Sequence, residues 1–127
     1  MARWYKGRPQ AALTLAALWW LFGVWMLFRQ GGGHSGIPYF DKIGHFSLFA
    51  VQALLLFRGL VVRFGEVVAR QQVWCCLCGW AVLSEVLQGT LTSYRSAEVA
   101  DALADGLGIA AGLALARLRL LLAVKPV

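Results

Sequence analysis

Between Pro9 and Phe28 no residue carries a charge. About 20 mostly apolar residues carry an α-helix across the ~30 Å hydrocarbon core of a bilayer, so this stretch has the length and chemistry of a membrane span. Its surroundings agree. Of 127 residues, 60% are hydrophobic and 14% charged, against about 25% charged in soluble domains. That is too little polar surface to cover a soluble core, and 13% aromatic residues argue against a solvated coil. A soluble globule and a disordered chain are both excluded, and an integral membrane protein remains.

Three more stretches reach spanning length, at about residues 43–62, 71–91 and 99–118. The second contains His45 near one end and Arg58 near the other, where a long basic side chain snorkels to the interface. The third contains Glu85, and the fourth Asp101 and Asp105. The expected fold is a single all-α domain over residues 1–127, a bundle of four transmembrane helices. Arg3, Lys6 and Arg8 before the first span resemble the start of a secretory signal. Its apolar run exceeds the ~7–15 residues of such a signal, which favours a retained helix.

Orientation follows from the basic residues near the span ends. Arg3, Lys6, Arg8, Arg58, Arg63, Arg70, Arg117, Arg119 and Lys125 fall on one side; Arg29, Lys42 and Arg95 fall on the other. The nine against three predict that both termini are cytoplasmic. The formal net charge of +6 is accounted for by attraction to anionic inner-leaflet lipid, so no nucleic-acid partner is expected.

The acids separate too. Asp41, Glu85, Glu98, Asp101 and Asp105 lie in the outer half, and Glu66 alone lies in the inner half. Positive-inside topology does not require this, because acids contribute little to it. Charge within a span costs at least a few kcal/mol at mid-membrane and normally faces a bundle interior or a wet cavity. Helical spacing groups these residues on stripes: Asp41, His45 and Gln52 on the second helix, Glu85 and Gln88 on the third, Glu98, Asp101 and Asp105 on the fourth. The last stripe continues as Gly108 and Gly112, beside Ala104 and Ala116. Small residues four apart let helix backbones approach in lipid, so the acidic stripe is expected to face a neighbouring helix.

The same segments carry a resemblance. Asp41-Lys42-Ile43-Gly44-His45-Phe46, Glu85-Val86-Leu87-Gln88, Arg95-Ser96-Ala97-Glu98-Val99-Ala100-Asp101 and Asp105-Gly106-Leu107-Gly108 resemble, in order and spacing, the signature of the VanZ-like family of small bacterial membrane proteins. Glu98 stands where that family often has Asp, and Asp105 where it often has Asn. The resemblance implies a four-helix protein of the bacterial cytoplasmic membrane. It also implies a link to resistance against teicoplanin-type glycopeptides, which act on lipid-linked cell-wall precursors at the outer surface.

Three readings of the polar cluster stay open. In a structural network, Arg95 pairs with Glu98 or Asp101, and Lys42 and His45 meet Glu85; acids in a first helical turn also suit its free N–H groups. In a ligand site, Arg95 and Lys42 hold the phosphate of a membrane lipid or lipid-linked precursor. Asp41, His45, Glu85, Gln88, Glu98, Asp101 and Asp105 complete that site, with a divalent cation as an optional bridge. In an enzyme, His45 and Asp101 are the candidate catalytic residues: His45 with Asp41 or Glu85 for acid–base work, Asp101 with Asp105 for a metal or a shared proton. Ser84, Thr90, Thr92 and Ser93 lie nearby in no recognised nucleophile arrangement. With almost no mass outside the spans, the chain also suits an accessory subunit of a larger membrane complex.

Cys75, Cys76 and Cys78 have no second cluster to complete a tetrahedral metal site, and are expected as small buried helix residues. His34, in a glycine-rich segment, reads as a loop histidine. Trp4, Trp74 and Trp19 to Trp25 fit interfacial or lipid-facing roles.

Overall fold

The computed structural model describes residues 8–29, 38–94 and 96–123. They form four helices: α1 (Pro9–Phe28), α2 (Phe40–Phe64), α3 (Glu66–Leu91) and α4 (Val99–Ala123). Each is long and apolar enough to cross a membrane, and no strand occurs among the described residues. Pro9 opens α1, a position where its missing N–H costs nothing. The other helices outrun the expected apolar windows at one or both ends. Asp41, Arg63, Glu66 and Arg70 interrupt the hydropathy without interrupting backbone hydrogen bonding, so α3 starts at Glu66.

Gly65 alone separates α2 from α3. Its φ of 79° lies in the left-handed region that glycine adopts without a Cβ penalty, and its N–H still reaches the Val61 carbonyl at 2.9 Å. The two helices therefore form a tight hairpin.

α2 is the centre of the bundle: it touches α1, α3 and α4, its longest interface is with α4, and α1 does not approach α4. Its buried stripe is His45, Phe49, Gln52, Ala53, Phe57 and Val61. Against it pack Ala69, Val73, Leu77 and Ala81 of α3 and Ile109, Leu113 and Ala116 of α4. α1 turns mostly small residues inward, with Ala12, Ala16 and Gly23 buried beside the single large Leu27, while Leu18, Leu21 and Trp25 point outward. Small inside and large outside is the arrangement expected where lipid, not water, covers the surface.

The α2–α4 approach depends on the glycine stripe. A Cβ at Gly108 would strike the Phe46 carbonyl, and one at Gly112 the Ala50 carbonyl and the Ala53 side chain. The small-residue pattern thus faces a helix backbone, as its alignment with the carboxylates predicts. The cysteines differ from expectation. Cys75 and Cys76 are exposed and Cys78 is partly so, because the inward positions of α3 are taken by Val73, Leu77 and Ala81. A thiol is small and apolar enough to face lipid.

Candidate functional site

The end of α1, the start of α2, the end of α3 and the start of α4 meet at one end of the bundle, and the polar stripes converge there. Helical spacing places Asp41, Lys42 and His45 on the first turns of α2, Glu85 and Gln88 on the last turns of α3, and Asp101 and Asp105 on the first turns of α4. His45, Glu85, Gln88, Asp101 and Asp105 are buried, and Asp105 is 0% exposed.

Two layers can be distinguished. In the inner layer His45 Nδ1 lies 2.8 Å from Asp105 Oδ1 and 3.8 Å from Glu85 Oε1, while His45 Nε2 lies 3.7 Å from Asp101 Oδ2. Three carboxylates from two helices thus surround one imidazole. Glu85 is oriented through its other oxygen: Oε2 accepts the Glu98 N–H at 3.0 Å, so a carboxylate of α3 caps the start of α4. In the outer layer the Lys42 ammonium donates to Asp41 Oδ2 at 3.1 Å, Glu98 Oε2 at 3.0 Å and Asp101 Oδ1 at 3.1 Å. An ammonium has three donors, and all three are used. Lys42 therefore joins the acids of α4 rather than Glu85, and its charge is spent on them.

Asp101 bridges the layers, with one oxygen on Lys42 and the other toward His45. Gln88 turns away from the cluster: its Nε2 donates to the Leu27 carbonyl at 2.7 Å, satisfying the last turn of α1. Gln52 does the same one layer deeper, donating to the Ala16 carbonyl at 3.1 Å. Tyr94, to which sequence reasoning assigned no role, donates to the Phe28 carbonyl at 2.5 Å.

A second residue that sequence reasoning used only to set orientation is Arg29. It follows α1 directly and lines, with Leu27, Asp41, Gly44 and His45, a narrow cleft of about 40 Å³. Its guanidinium lies over the Trp25 ring, 5.6 Å from the centroid, and its buried Nε has no hydrogen-bond partner among the described residues. The only sequence signal was its place at the outer end of the first span.

Arg95, expected in the site, lies outside the described residues, as do Arg3, Trp4, Lys6, His34 and Lys125. Three of the four hydroxyls considered as nucleophiles are engaged on backbone carbonyls. Ser84 donates to Ala81 at 3.0 Å and Thr90 to Val86 at 2.8 Å, and Thr92 donates to Gln88.

The site is therefore an anionic nest of carboxylates around one histidine, capped by a lysine and flanked by an arginine-lined cleft. Such a nest can hold a cation, orient a basic group or anchor a polar headgroup. Comparison with known proteins gives one match: the model of a family described as VanZ/LLP1 covers residues 5–122. No curated protein and no solved structure matches.

Proposed function

The chain belongs to the VanZ/LLP1 family, and on that footing we propose that the polar end of the bundle binds the phosphate headgroup of a membrane lipid or lipid-linked cell-wall precursor. One observation carries this reading: ionisable side chains buried at one end of a spanning bundle reach the surface through a cleft lined by Arg29, Gly44 and His45. Charge kept within a membrane protein at such cost marks a functional site by default. A space of about 40 Å³ admits little more than a water molecule, so the headgroup lies across the mouth of the cleft. Arg29 supplies its cation there, because Lys42 is engaged by three carboxylates; Arg95 is the second candidate. The protein resides in the bacterial cytoplasmic membrane with this end outward, where glycopeptide antibiotics meet their precursor targets.

The test is native mass spectrometry of protein extracted gently from its own membrane. A phospholipid or polyprenyl phosphate retained by the wild type and lost in Arg29→Ala or Arg95→Ala is the expected result, with a parallel change in teicoplanin susceptibility. Equal retention in all three proteins rejects the proposal.

A second reading, an accessory subunit, is favoured by a different feature. An apolar groove of about 620 Å³ runs between α3 and α4, lined by Trp74, Cys75, Ala110, Leu113, Leu118 and Leu121. A transmembrane helix of a larger complex would fill it. A stoichiometric co-extracted protein, with no bound lipid, supports this reading over the first.

A further inference from the structure

We propose that His45, Glu85 and Asp105 form a binding site for a transition-series divalent cation, Zn²⁺ or Mn²⁺. The inference does not rest on headgroup binding, since a cation can occupy this inner layer with no lipid present.

Three observations carry it. First, one ligand atom from each residue lies within 4.8 Å of the other two, and all three residues are buried. The imidazole Nδ1 is already 2.8 Å from Asp105 Oδ1 and 3.8 Å from Glu85 Oε1. Metal–ligand bonds of about 2.0–2.2 Å place neighbouring donors roughly 3–3.5 Å apart, so closing on an ion needs only small side-chain shifts. Second, the carboxylates of this group are not fully satisfied: Glu85 Oε1, which faces Nδ1, and Asp105 Oδ2 are buried with no hydrogen-bond partner among the described residues. A buried carboxylate oxygen left so is expensive, and a cation satisfies it. Third, the charge balances. Lys42 serves Asp41, Glu98 and Asp101, which leaves the two carboxylates of Glu85 and Asp105 facing one imidazole. One divalent cation neutralises them.

The surroundings are those of a metal site. Ligating histidines usually donate their other N–H to a carboxylate, and ligating carboxylates are themselves held by hydrogen bonds. Here Asp101 Oδ2 lies 3.7 Å from Nε2, near it but beyond hydrogen-bond distance; Asp101 is fixed by Lys42, and Glu85 is fixed by the Glu98 N–H. The other acidic group, Asp41, Glu98 and Asp101, already surrounds the Lys42 ammonium and needs no ion. Two oxygen donors with one imidazole favour Zn²⁺ or Mn²⁺ over Ca²⁺ and Mg²⁺, which take oxygen throughout. Three protein ligands leave at least one coordination position open. Binding at Nδ1 replaces the proton that otherwise bridges His45 and Asp105, so the ion competes with protons.

The experiment uses the full chain in detergent micelles, with Cys75, Cys76 and Cys78 replaced by serine so that no thiolate competes. Each metal salt is added alone, Zn²⁺ uptake being followed by calorimetry and Mn²⁺ by electron paramagnetic resonance. One ion per chain is expected, with imidazole-nitrogen coupling in the Mn²⁺ spectrum that disappears in His45→Gln. Asp105→Asn and Glu85→Gln, which keep side-chain volume, should each weaken binding at least about tenfold; Glu66→Gln, at the far end of the bundle, should not. Because one variant can fail to fold, circular dichroism accompanies each and the two carboxylate variants serve as independent tests. Absence of saturable uptake in the folded parent overturns the proposal, as does uptake unchanged in both carboxylate variants.

Discussion

His45 of α2 and Asp105 of α4 meet at 2.8 Å, both buried, the aspartate being 0% exposed. The contact fastens the two helices that share the longest interface in the bundle. Hydrogen bonds between membrane helices are worth about 0.6 kcal/mol on average and up to about 1.7, and this pair belongs at the upper end. A double-mutant cycle of His45→Ala and Asp105→Ala, followed by unfolding in mixed micelles, should return a coupling of about 1–2 kcal/mol. A coupling near zero would mean that the two groups are independently solvated.

The glycines of α4 offer a sharper contrast. Gly112→Ala places a methyl group against the Ala50 carbonyl, and such overpacking costs about 1–3 kcal/mol. Gly79 of α3 has nothing within 4 Å of its notional Cβ, so Gly79→Ala should be neutral or stabilise by roughly 0.5–1 kcal/mol through helix propensity. The melting temperature should fall in Gly112→Ala and hold or rise in Gly79→Ala.

Lys42 has three carboxylate partners that differ in exposure. The side chain of Glu98 is 47% exposed and that of Asp101 9%. Exposed ion pairs are worth about 0–1 kcal/mol, while removing one partner of a buried pair is far more damaging. Cycles pairing Lys42→Met with Glu98→Gln and with Asp101→Asn should therefore give the larger coupling for Asp101. The reverse order would show that the site is wetter than its burial implies.

The distribution of basic residues predicts that the polar end faces outward. In a background lacking the three native cysteines, Ser93→Cys should react with a membrane-impermeant maleimide added to intact cells. Val67→Cys, at the opposite end of α3, should react only after the cells are opened. The opposite pattern would invert the topology and move the candidate site to the cytoplasm.

Much of this architecture is legible in the sequence, for identifiable reasons. The absence of charge over Pro9–Phe28 delimits α1 at both ends, whereas hydropathy misses the first turn of α3, because Glu66 and Arg70 look like loop residues and are helical ones. Period-3.6 spacing brings Asp41, His45, Glu85, Asp101 and Asp105 to one end of the bundle, and all five are there. What spacing does not encode is which neighbour each side chain chooses. Gln88 shares a stripe with Glu85 yet bonds to the Leu27 carbonyl, because α1 lies on that side. Lys42 reads as a free phosphate ligand until α4 is packed against α2 and three acids reach it. Arg29 enters the site only because the end of α1 lies beside Gly44.

The way α1 is held has a bearing on how the chain can change. Gln52, Gln88 and Tyr94 reach across to the carbonyls of Ala16, Leu27 and Phe28, which every residue type possesses. Docking thus relies in good part on the main chain of α1, with Leu27 buried and Trp19 Nε1 donating to the Leu48 carbonyl at 2.9 Å as its side-chain share, while Leu18, Leu21 and Trp25 point outward. The outward face of the first helix is accordingly free to drift among apolar residues with little effect on where the helix sits, while a change at Gln52, Gln88 or Tyr94 releases it. In a saturation library Leu18, Leu21 and Trp25 should tolerate wide apolar replacement, and those three anchors, none of them on α1, should tolerate very little.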